Sequence, residues 1–62
     1  MQLLKNVSYL IKNKDIISKI FVLDQTKICC KIRYENGFEK LIEQETFLQE
    51  NIVIEEIFER IL

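Results

Sequence analysis

Histidine, proline, tryptophan and alanine are absent from these 62 residues, and Gly37 is the only glycine. Without histidine the chain lacks the commonest general base and metal ligand. A single glycine excludes a glycine-rich phosphate loop, and the lack of proline excludes a proline-rich linker. Cysteine is confined to Cys29 and Cys30, sequence neighbours whose bridge would be strained and close almost no loop. A structural metal needs about four ligands, which this composition does not supply, so neither metal nor cofactor is expected. The longest apolar run, Ile20-Phe21-Val22-Leu23, falls far short of the roughly 18 residues that suggest a membrane span. Residues 1–11 lack the features of a signal peptide. Two unpaired thiols suit a reducing compartment, so the expected location is the cytoplasm.

What is present is apolar and charged. Hydrophobic residues make up 48% of the chain, eleven of them isoleucine, and charged residues 31%. A single domain over residues 1–62 is expected, of a size at which the core alone gives marginal stability. With disulfides and metal excluded, oligomerisation is the remaining supplement, and a homodimer is expected. The wealth of Ile, Lys, Glu and Asn reflects AT-rich codons, pointing to a low-GC bacterium, a phage or a plasmid. Charge is sorted along the chain: residues 1–33 hold seven basic and two acidic residues, a net +5, and residues 34–62 hold two basic and eight acidic, a net −6. Such asymmetry points to a partner surface or to self-association.

Apolar spacing predicts the elements. Leu3, Leu4, Val7, Leu10 and Ile11 follow one face of a helix, which ends in Asn13-Lys14-Asp15. Residues 16–23 are rich in β-branched and aromatic side chains and read as a strand. Ile16, Ile20 and Val22 lie on one face of it, and Ile17, Phe21 and Leu23 on the other. Such a strand is covered on both sides, which nominates Ile17, Phe21 and Leu23 for self-association. After a turn at Asp24-Gln25-Thr26, residues 27–35 alternate, with Ile28, Cys30, Ile32 and Tyr34 inward. Asn36-Gly37 marks a hairpin leading to a strand over 38–43. A three-residue loop sets Tyr34 opposite Phe38 and Arg33 opposite Glu39, but also Lys40 opposite Ile32, so either a bulge or another register is expected. Thr46 with Gln49, or Asn51, is a candidate cap for a helix whose stripe is Ile54, Ile57, Phe58 and Ile61. The expected fold class is α+β: a three-stranded antiparallel sheet flanked by an N-terminal and a C-terminal helix (α-β-β-β-α). A small all-β barrel, with residues 52–58 as a fourth strand, is the alternative, because Ile52-Val53-Ile54 is β-branched.

Function is approached by elimination. Cys29 is a nucleophile only if Lys27, Lys31 or Arg33 activates it; the plainer reading is an ordinary strand thiol. No enzyme is expected. Lys19, Lys27, Lys31 and Arg33 form a candidate anion or partner contact, and nucleic-acid binding through that basic face is the second reading. A pI near 5.3 and only two arginines weigh against it. Glu50, Glu55, Glu56 and Glu59 form a candidate acidic partner contact. The leading expectation is a non-enzymatic protein–protein interaction module, a regulator or inhibitor acting as a homodimer.

Ile11-Lys12-Asn13-Lys14-Asp15 closing a first helix, with Asn36-Gly37 and Asn51-Ile52-Val53, resembles small phage anti-CRISPR inhibitors of an RNA-guided nuclease. The resemblance covers about ten residues and implies a helix, three strands and a helix, with inhibition of a nucleic-acid-binding enzyme as the function. The chain departs from that pattern in being nearly neutral, since such inhibitors are often strongly acidic. No site residue is carried over.

Overall fold

A computed structural model describes residues 1–57. They form, in order, β1 (Ser8–Asn13), β2 (Ile16–Gln25), β3 (Cys29–Tyr34), β4 (Glu39–Glu43), α1 (Gln44–Glu50) and β5 (Ile52–Ile57). The strands build one antiparallel sheet in the order β4-β3-β2-β1-β5. The expected α-β-β-β-α arrangement is therefore wrong: the sheet has five strands, and the only helix among the described residues has seven residues. The all-β alternative placed a strand over 52–58. β5 occupies nearly that span, but as the fifth strand, next to β1.

The first segment is a strand because its apolar spacing also satisfies period two. Val7, Tyr9 and Ile11 alternate inward and are buried, while Leu10 and Lys12 point outward. Asn6 adopts φ 65, a left-handed conformation that interrupts any helix running through it. The deciding factor lies elsewhere in the chain. β2 has ten residues and β3 only six, so the first half of β2 would keep unpaired N–H and C=O groups without another neighbour. β1 supplies it, with Tyr9 opposite Ile20 and Ile11 opposite Ser18.

The three strands expected between residues 16 and 43 are present and adjacent. Gly37, at φ 89, accommodates the three-residue loop that joins β3 to β4. The Tyr34 N–H donates to the Phe38 carbonyl at 2.8 Å, and the two rings lie 6.1 Å apart. Arg33 faces Glu39, and Ile32 faces Lys40 with no intervening bulge. The expected bulge or altered register is absent because β4 is an edge strand. Lys40 reaches solvent from the inward side there, a placement that also discourages edge-to-edge pairing. A bulge does occur in β2, where Leu23 is the extra residue between Val22 and Asp24.

The expected C-terminal helix is replaced by a short helix and a strand. α1 ends where Asn51 donates twice to the Phe47 carbonyl, from its backbone N–H at 3.0 Å and its side-chain Nδ2 at 2.9 Å. Asn51 thus closes a helix rather than opening one. The β-branched run Ile52-Val53-Ile54 then extends along β1. Phe58 and Ile61 of the expected helical stripe lie outside the described residues.

The core lies on one face of the sheet. Tyr9, Ile11, Ile20, Val22, Cys30, Ile32 and Ile42 are buried, with Leu3, Val7 and Phe47 joining from outside the strands. Ile28, expected inward, is instead 66% exposed at the β2–β3 turn. Leu3 is held by an N-terminal strap whose four successive N–H groups each find an acceptor. Leu3 donates to Gln44 Oε1 at 2.9 Å, Leu4 to the Tyr9 hydroxyl at 2.8 Å, Lys5 to Gln25 Oε1 at 3.1 Å, and Asn6 to the Val22 carbonyl at 2.8 Å.

Candidate interaction surface

Directly paired residues of adjacent strands project to the same face, so the registers fix what the outer face displays. One row runs Glu39, Arg33, Phe21, Ser8, Ile57 from β4 across to β5. The next outward row on the three strands β2-β1-β5 is Lys19, Leu10, Glu55, and the one beyond is Ile17, Lys12, Ile52. The last row is apolar at both ends: Ile17 is 60% exposed and Ile52 68%. Ile54, the extra residue of a bulge in β5, is also exposed. Soluble domains scatter single apolar residues over their surfaces, so the grouping is what counts: Ile52 and Ile54 lie two positions apart on β5, and Ile17 lies across Lys12 from Ile52.

The predicted self-association residues are only partly brought together. Ile17 and Phe21 share the outer face of β2, whereas Leu23 sits at its bulge. Sequence reasoning missed Leu10, Ile52 and Ile54. The β-branched run in residues 52–54 was the available signal for the last two, but reading it as a helix placed Ile54 in the core.

The predicted basic contact is likewise split. Lys19, Lys31 and Arg33 are on the outer face, while Lys27 lies in the β2–β3 turn. Glu39 answers two of these cations: Lys31 Nζ lies 3.6 Å from its carboxylate, and Arg33 is its cross-strand partner. The Arg33 guanidinium also covers the Phe21 ring at 5.5 Å. A groove of about 750 Å³ opens beside this pair, lined by Ser8, Lys19, Phe21, Arg33 and Tyr34. Of the acidic contact, Glu50 ends α1, Glu55 and Glu56 stand on opposite faces of β5, and Glu59 is outside the described residues.

The charge sorting along the chain becomes a sorting across the sheet. The basic first half supplies the central strands β1, β2 and most of β3; the acidic second half supplies both edges, β4 and β5, and the helix. Positive charge is thus flanked by negative charge on either side, rather than forming one pole of the molecule.

Cys30 is buried on the inner face, and burial pushes its thiol pKa above the ordinary value, with Cys29 adding to the shift. Tyr9 is raised for the same first reason, opposed by the Leu4 N–H donating to its hydroxyl and reinforced by Glu56 across the strand pair. Cys29 faces Glu43 on the outer side. Among the described residues no group of three or more Cys, Asp or Glu side chains is placed to hold a metal ion. No helix among them is long and apolar enough to cross a membrane.

Comparison of the chain with protein-family models, curated proteins and solved structures finds no match. The resemblance to anti-CRISPR inhibitors loses its structural basis, because residues 11–15 close β1 and turn into β2 instead of ending a helix.

Proposed function

We propose that this protein is a non-enzymatic protein-interaction module that presents the outer face of β2-β1-β5 to another protein chain. The observation that carries this reading is the exposed apolar row in which Ile17 and Ile52 flank Lys12, bordered by Ile54. Exposing these side chains leaves their apolar area in water, and covering them recovers roughly 25 cal/mol per Å² removed from water. The free thiols of Cys29 and Cys30 support a cytoplasmic setting. The nucleic-acid reading is weaker on this surface, since Glu39 stands beside Lys31 and Arg33, and the acidic edges would repel phosphates.

Photo-crosslinking inside the cell tests the reading. A photoreactive amino acid at position 52 should yield protein adducts, and the same group at position 28, in the exposed β2–β3 turn, should not. Nucleic-acid adducts from position 52, or no adduct at all, would overturn the proposal.

A further inference from the structure

The outer face of β2-β1-β5 has a property that its composition alone does not show: its rows are complementary to themselves when reversed. Consider two copies facing each other, related by a two-fold axis that runs along β1 midway between them. That rotation keeps each row at its own height and reverses it, laying β2 of one copy over β5 of the other. Lys19 then meets Glu55 of the second copy, and Glu55 meets that copy's Lys19. Leu10 meets Leu10 at the centre. Ile17 falls over Ile52 of the second copy, and Phe21 over its Ile57. Each of these matches follows from the observed registers.

We infer that the partner for this face is a second copy of the chain, packed face to face as a two-fold dimer about β1. The inference rests on the interaction-module reading above and names its partner. An isologous contact requires a patch that complements itself, and here apolar positions fall on apolar positions while opposite charges fall together. Aligned sheets pack within about 30° of one another because each is twisted, so the rows stay close to register over the short length from residue 17 to residue 21. Lys12 is the one charged residue of these rows that meets its own counterpart. It lies toward the end of the patch, and its aliphatic stem can carry the ammonium out to solvent.

Pairing of like sheet edges is the competing way to join two copies, and the charges do not favour it. Antiparallel pairing of β4 with itself about Leu41 puts Glu39 opposite Glu43 twice, and like charges directly opposite destabilise a strand pair. Pairing β5 with itself about Ile54 sets Val53 opposite Glu55 and Ile52 opposite Glu56, so the glutamates meet apolar side chains and no opposite charge. Unlike these edge pairings, the face arrangement brings residues of the +5 and −6 halves of the sequence into attraction between copies. Lys19 also interacts within its own chain, so charge reversal must be read between copies rather than within one.

The test uses two single variants, Lys19→Glu and Glu55→Lys, and sedimentation equilibrium of each alone and of their equimolar mixture. The wild-type chain is expected to dimerise with a dissociation constant on the order of micromolar, as small interfaces do. In each variant alone both cross-contacts become like-charged, and the dissociation constant should rise at least about tenfold. In the mixture, the carboxylate introduced at position 19 of one variant faces the ammonium introduced at position 55 of the other. The unchanged Glu55 of the first variant and the unchanged Lys19 of the second also face each other, so dimerisation should return as a heterodimer. Rescue within one chain cannot produce that result. Far-ultraviolet circular dichroism of each variant reports whether the strands persist. An intermolecular nuclear Overhauser effect between Leu10 methyl groups, in a mixture of labelled and unlabelled wild-type protein, tests the same geometry without mutation. A monomeric wild type, no heterodimer from folded variants, or no Leu10 contact in a dimer would each overturn the assignment. If the wild type is monomeric yet position 52 crosslinks to a different protein, the dimer falls and the interaction-module reading stands; with neither, both fall.

Discussion

Ile17 and Ile20 are the same residue type in the same strand, three positions apart, yet one is 60% exposed and the other 1%. The same contrast recurs between neighbours on β4, where Leu41 is 71% exposed and Ile42 7%. Hydrophobicity therefore does not decide which side chains build this core. The parity of the strand does, together with which side of the sheet α1 and the N-terminal strap cover. The inner face is a closed packing problem with Tyr9 at its middle. The outer face keeps residues of equal apolarity in water, and the interaction-module proposal rests on that difference.

The comparison can be broken most sharply from the inside. Ile20→Ala leaves a cavity beside Tyr9 and Val22 and should cost about 2–5 kcal/mol in urea denaturation, a large share of the stability of a domain this small. A loss below about 1 kcal/mol would mean that the inner face is not a closed core. Tyr9→Phe keeps the ring but removes the acceptor for the Leu4 N–H, so a loss of about 1 kcal/mol is expected. Faster amide exchange at Leu4 would locate that loss in the strap; unchanged exchange would count against the bond.

Alkaline pH probes the same inner face more gently. The folded-state pKa values of Cys30 and Tyr9 are both raised, so the unfolded chain releases those protons more readily than the folded one. Their contribution to stability is complete below the unfolded values and is lost as pH rises through the folded ones. The urea midpoint should hold level up to about pH 9 and decline above it, with Tyr9→Phe removing the later part of the decline. A midpoint that rose above that pH would have the wrong sign for this explanation. The smallest effect is expected outside. Leu41→Ser changes a residue that is mostly in solvent and lies away from the β2-β1-β5 patch, so stability should move by no more than about 0.5 kcal/mol. A loss comparable to that of Ile20→Ala would abolish the distinction between the faces.

Part of this arrangement was legible in the chain itself. Residues 27–43 announce two strands and their loop because Ile, Cys, Lys and Arg alternate there and Asn36-Gly37 permits the turn. The Arg33–Glu39 pairing is the one a three-residue loop gives, but Lys40 opposite Ile32 kept that register open in the sequence, and the structure decided it. Half of the candidate surface was legible as well: Ile17 and Phe21 stood out because β2 is apolar on both parities. Leu10 was hidden by an apolar spacing that fits a helix as well as a strand, and Ile52 and Ile54 by a segment whose glutamates and capping residues suit a helix.

The sequence by itself determined which residue types are missing, the β3–β4 hairpin and the split of charge between the two halves, because each depends on residue type or on contacts a few positions apart. Only the tertiary structure decided that residues 8–13 and 52–57 are strands, and that the basic half lies between two acidic edges. For β1, joined to β2 by a two-residue turn, the physical reason is an apolar spacing that fits helix and strand alike; for β5 it is that the pairing is long-range. Ser8 finds Ile57, and Lys12 finds Ile52, across nearly the whole chain. A segment compatible with both helix and strand takes whichever form satisfies the backbone groups of the neighbour it meets.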